Sequence, residues 1–86
     1  MGKNKVEGPK KLAEKLLKVR LKLGLSQTKM GEALERYGVE RHESSIRAYE
    51  NGDRLPPHLV ALAYARLAKV SLDLLIDDEI DLPKGF

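Results

Sequence analysis

Cysteine and tryptophan are both missing from this 86-residue chain, and aromatic residues make up only 5% of it. Without thiols there is no disulfide, no thiolate zinc site and no cysteine nucleophile, a composition that suits the cytoplasm. A secretory or membrane-spanning run is lacking too: Met1 to Gly8 is basic and polar, with no apolar stretch behind it. Histidine is scarce, and neither His42 nor His58 stands in a cluster of metal-ligating residues, so no metal and no cofactor are expected. Ser44 and Ser45 lie near His42, but no acidic residue is placed to orient that imidazole and no oxyanion arrangement is visible. A chain this short buries only about 60–65% of its unfolded surface and leaves no room for a deep catalytic pocket. An enzyme is therefore not expected, whereas a second subunit would add much of the stability.

Charge is what the chain has in quantity, and it is unevenly spread. The formal net charge is only +3. Residues 1–22 nevertheless carry Lys3, Lys5, Lys10, Lys11, Lys15, Lys18, Arg20 and Lys22 against Glu7 and Glu14. From residue 73 onward Asp73, Asp77, Asp78, Glu79 and Asp81 face a single Lys84. Such a dipolar chain can turn its basic end toward a polyanion while the acidic end points away; the plainer alternative is two solvated faces.

The apolar pattern is helical throughout, with no repeat and no strand pair. Pro9 can open a first helix whose Leu12, Leu16, Val19 and Leu23 recur at helical spacing, and Gly24 is suited to end it. Ser26 caps a second helix that turns Met30, Ala33 and Leu34 inward and stops before Gly38. Gly31 inside it costs helix propensity, which is tolerable where another helix passes too close for a side chain. The third helix spans Glu43 to Glu50, anchored by Ile46 and Tyr49, with Ser44 and Ser45 competing to cap it. Asn51-Gly52-Asp53 forms a turn, and Pro56-Pro57 starts a fourth helix with Leu59, Leu62, Ala63 and Leu67 inward. Ser71 caps a fifth, carrying Leu72, Leu75 and Ile76, and residues 82–86 read as a tail. The chain thus divides into a flexible basic N-terminus (1–8), a helical domain (9–77) and an acidic, apolar C-terminal tail (78–86).

Two short capped helices joined by a turn suit the major groove of duplex DNA, which is roughly 12 Å wide and admits one helix. Gly24-Leu25-Ser26-Gln27, Ile46 to Gly52 and Val70-Ser71-Leu72-Asp73-Leu74-Leu75 resemble, in order and spacing, the Cro and phage-repressor type of helix-turn-helix family, also called the xenobiotic-response-element family. The resemblance covers roughly residues 10–77. It implies an all-α, five-helix, lambda-repressor-like bundle whose helices 2 and 3 form the helix-turn-helix. It also implies sequence-specific binding to double-stranded DNA as a transcriptional regulator, usually a repressor, acting as a homodimer on an inverted-repeat operator.

Carried over residue by residue, the resemblance makes Gln27 a phosphate contact that braces the reading helix. Glu43, Ser44 and Arg47 fall on the helix that reads bases, with Ala48 on its flank; Ser45 beside them, like Ser44, is either a helix starter or a base or phosphate contact. Asn51 and Gly52 fall in the turn whose backbone amides touch phosphate, while Arg54 falls in the loop that follows. Arg20 matches an arginine that pairs with Glu50 as a structural ion pair.

Two departures stand out. The interval from Gln27 to Glu50 is twenty-three positions, about five more than the short turn of this motif requires. Glu35 to His42 either lengthens the second helix or forms a loop that offers Arg36 and Arg41 to the DNA backbone. Glu43 is the other departure: a carboxylate near the groove is repelled by phosphates yet can accept from the cytosine amino group, so it either reads cytosine or discourages binding. A different class of function uses the same fold as an antitoxin-like or adaptor module that binds a protein. It is motivated by Leu74, Ile80, Leu82 and Phe86, an apolar surplus for so small a bundle.

Overall fold

The first helix starts at Leu12 and not at Pro9, and the amides just ahead of it are held by the other end of the chain. In the computed structural model, which describes residues 8–86, the backbone N–H groups of Lys10 and Lys11 donate to the Asp78 carboxylate at 2.8 and 3.0 Å. Helix α1 then runs Leu12–Leu23, followed by α2 (Gln27–Ala33), α3 (Glu43–Asn51), α4 (His58–Ala68) and α5 (Leu72–Ile76). A 3-10 turn, Leu34–Tyr37, continues from α2. The expected all-helical chain of five helices is what forms, and no strand occurs among the described residues. Apart from Gly8, the basic N-terminus expected over residues 1–8 lies outside them.

Leu12, Leu16 and Val19 of α1 are buried as their spacing requires, and Lys15 is buried among them at 4% exposure. Its ammonium donates to the carbonyls of Leu74 (2.7 Å), Asp77 (3.0 Å) and Ile80 (2.6 Å), which employs all three of its N–H bonds. The start of α1 is thus capped by the segment after α5, and the end of α5 is capped by α1. Lys11 and Asp81 pair at 3.5 Å, and Lys22 stands 5.9 Å above the Phe86 ring. The expectation that the acidic end points away from the basic one is overturned: Asp78 and Asp81 lie on the basic helix, where opposite charges attract. Leu82 and Phe86, read from sequence as surplus, pack against the core.

Between α2 and α3 the additional residues make a strap. Ser26 caps α2 by accepting from the Lys29 amide at 3.1 Å. After the 3-10 turn, Gly38 takes φ of 78°, a region open to glycine at little cost. Val39 is buried beyond it, and the Arg41 amide donates to the Gly31 carbonyl at 3.2 Å. The Arg41 carbonyl sits so close over Gly31 that a Cβ there would lie 2.0 Å from it. The glycine is required by this strap, not by a crossing helix.

Helix α3 is capped by His42, not by Ser44 or Ser45: the imidazole Nδ1 accepts from the Ser44 amide at 3.1 Å. Ser71 stands at the start of α5 without a side-chain capping bond. Helix α4 begins at His58, with Pro57 at its cap, and its inward residues are Val60, Ala61, Ala63, Tyr64 and Ala65. Leu59, expected inside, is 51% exposed, and Ile76 also faces outward. Leu62 and Leu67 are half-buried. Tyr64 is fully buried and, with Tyr49, is among the largest side chains of the core. The radius of gyration, 12.1 Å, matches the roughly 12 Å expected of a single packed body of this length.

Candidate nucleic-acid interface

Three residues set which way α3 faces. Ile46, Tyr49 and Glu50 point into the protein, so Ser44, Arg47 and Asn51, on the other side of the helix, are exposed. That periodicity fixes one outward polar strip. No described part of the chain covers it.

Behind the strip lies a buried polar cluster centred on Glu50, whose side chain is only 2% exposed. Arg20 Nε donates to its two oxygens at 3.0 and 2.8 Å, and an Arg20 terminal nitrogen donates to the Leu25 carbonyl at 2.9 Å. The Tyr64 hydroxyl donates to the same carboxylate at 3.3 Å, and the Gln27 amide nitrogen does so at 3.4 Å. Burial, the Glu50 charge and that hydrogen bond hold the Tyr64 phenol well above its ordinary range, so it stays a donor. This cluster ties α1, α2 and α4 to the end of α3. Gln27 is half-buried within it, its amide turned toward Glu50.

At the other end of α3, Glu43 accepts from the Thr28 hydroxyl and pairs with Arg47 at 3.5 Å. The Thr28 hydrogen bond, helped by Arg47 and His42, holds the Glu43 carboxyl below its ordinary value despite some desolvation. A carboxylate in the first turn is also favoured by the helix dipole. His42 Nδ1 accepts from the Ser44 amide at 3.1 Å, and the Ser44 hydroxyl lies 3.0 Å from the same nitrogen.

The arginines gather at one side. Arg41 donates through Nε to the Tyr49 hydroxyl at 3.3 Å, and Arg54 lies 5.7 Å over the Tyr49 ring while donating to Ser45 Oγ at 3.3 Å. Arg41, Arg54 and Ser45 are therefore brought together around Tyr49, with Arg47 further along the outward strip. In the turn after α3, the amides of Gly52, Asp53 and Arg54 donate to the carbonyls of Tyr49 and Ala48 at 2.9–3.3 Å. They close the helix, so a phosphate at this turn would have to be met by side chains. Asn51 is exposed there.

Three residues that position this surface were not singled out for that role in the sequence. Thr28 follows Gln27 in the first, exposed turn of α2, which was the available signal. His42 directly precedes Glu43, but a histidine is not a usual cap. Tyr64 gave none beyond its apolar helix. Among the described residues no group of three or more His, Asp or Glu is placed to hold a metal ion, and no helix is long and apolar enough to cross a membrane.

Comparison with protein-family models, with curated proteins and with solved structures gives no match to this chain.

Proposed function

We propose that the chain is a sequence-specific double-stranded DNA-binding protein of the cytoplasm that regulates transcription. In this reading α2 and α3 form a helix-turn-helix of the Cro and phage-repressor type, and α3 lies in the major groove. The observation that carries it is the exposed strip of Ser44, Arg47 and Asn51, presented by a helix that Glu50 fixes at its inner end and the Thr28–Glu43 hydrogen bond fixes at its start. Arg41 and Arg54 beside the strip supply cations for phosphates, and Arg47 is 53% exposed. Two copies related by a two-fold axis would set reading helices about 34 Å apart and select an inverted-repeat operator.

Selection from a pool of random duplexes at several salt concentrations tests this. A motif should be enriched, and affinity should fall by about 0.9 log units per log of salt for each phosphate neutralised. If no duplex binds better than about 1 µM at low salt, where even specific sites are usually far tighter, the proposal fails.

A second reading, a protein-interaction module of the antitoxin or adaptor kind, is favoured by one observation. Tyr37, Leu59, Leu62, Ala63 and Arg66 line a groove of about 170 Å³, with Tyr37 and Leu59 exposed. The same selection separates the two, because this role needs no enriched motif.

A further inference from the structure

Glu43 is an unusual residue to find on a surface offered to a polyanion. Repulsion by phosphates disfavours it unless its position gives it a donor in the groove. Its carboxylate has two anchors within the protein, the Thr28 hydroxyl from α2 and the Arg47 guanidinium one turn along α3. One oxygen serves each anchor, and each oxygen has a further lone pair, so acceptor capacity remains for a third donor. The side chain is 42% exposed, which leaves that capacity open to the outside. Glu43 stays ionised near neutral pH, since the Thr28 hydrogen bond lowers its pKa, and so it can only accept.

The geometry points to a cytosine reader: Glu43, held in place by Thr28, accepts from the N4 amino group of a cytosine in the major groove, while Arg47 donates to O6 and N7 of a guanine beside it. This inference rests on the DNA-binding reading above. The other bases fit worse. Thymine and guanine turn only acceptors, O4 or O6 and N7, toward a carboxylate, and adenine sets its N7 acceptor next to its amino group. Arg47 needs the opposite pattern, which guanine supplies, and its charge offsets that of Glu43 against the phosphates. Thr28 is a positioning residue: it touches no base but fixes the carboxylate that does.

The test is duplex selection with the intact chain and three variants. The wild-type motif should contain one cytosine per half-site whose replacement by thymine lowers affinity roughly 5- to 150-fold. Glu43→Gln keeps the size and an acceptor for Thr28 but adds an amide donor, and it should move the preference at that position alone from cytosine to adenine. Thr28→Val should flatten the cytosine preference without changing the helical content, and Thr28→Ser should restore it. An enriched motif that is the same in wild type and Glu43→Gln overturns the inference and leaves the DNA-binding reading standing. Enrichment of no motif by the wild type overturns both.

Discussion

The carbonyl oxygen of Arg41 occupies the place where a side chain on Gly31 would begin. A Cβ there would stand 2.0 Å from that oxygen and 3.1 Å from its carbon, and the same two residues are joined by the Arg41 N–H to Gly31 C=O hydrogen bond. The approach is backbone to backbone, so no flexible side chain can yield. Gly31→Ala should destabilise the fold by about 1–3 kcal/mol, the usual cost of overpacking, although alanine is the better helix former. Thermal melting checks this, since roughly 4–8 °C is lost per kcal/mol in a domain of this size. An unchanged melting temperature would mean that the strap is not held on α2.

Arg20 and Glu50 form a pair in which the arginine side chain is 12% exposed and the glutamate 2%. Arg20→Met leaves the carboxylate with only Tyr64 and Gln27 as donors and should cost about 3–5 kcal/mol. Arg20→Met combined with Glu50→Gln removes the stranded charge and should recover most of that loss. Urea unfolding of the two variants measures the difference, and equal losses in both would show that the charge itself is not what matters.

Acid should weaken the junction between the chain's two ends. The backbone amides of Lys10 and Lys11, then the nearby lysines, hold the Asp78 carboxyl below its ordinary value of 3.8. A group with a lowered folded pKa contributes stability above the unfolded pKa and loses it as pH falls through the folded value. Asp78→Asn should therefore melt earlier than wild type at pH 7, and the gap should begin to narrow as the pH drops below about 3.8, the ordinary value, and close below the lowered folded value. Melting curves from pH 7 to pH 2 test the sign; a gap that widens in acid would contradict it.

Arg47→Ala should lower specific DNA binding by about 1–3 kcal/mol and relax the preference at one position, as expected of a base contact. Competition binding against single-base variants of the selected site provides the measurement. Equal losses on all duplexes would make Arg47 a phosphate contact.

Helical character was legible because apolar residues recur at helical spacing and Gly24, Ser26, Gly38 and Gly52 mark real ends. The rotation of α4 was not. Leu59 to Ala65 is almost entirely apolar, so its sequence permits several inward faces, and long-range contacts such as that of Tyr64 with Glu50 select one. Lys15 was likewise read as part of a basic surface, because its acceptors lie 59 to 65 residues away. Of the candidate surface, the exposed edge of α3 follows from the spacing of Ile46 and Tyr49. The anchoring of Glu43 by Thr28 and the inward turn of Gln27 depend on how α2 and α3 meet, which local pattern does not encode.

The reciprocal capping of α1 and α5 bears on how the protein is made. While a ribosome is still producing the chain, the opening helix has no acceptor for the Lys10 and Lys11 amides, and the Lys15 ammonium has no carbonyls to enter. Both needs are met only by residues 74–80, so the nascent bundle stays unsealed until those residues emerge.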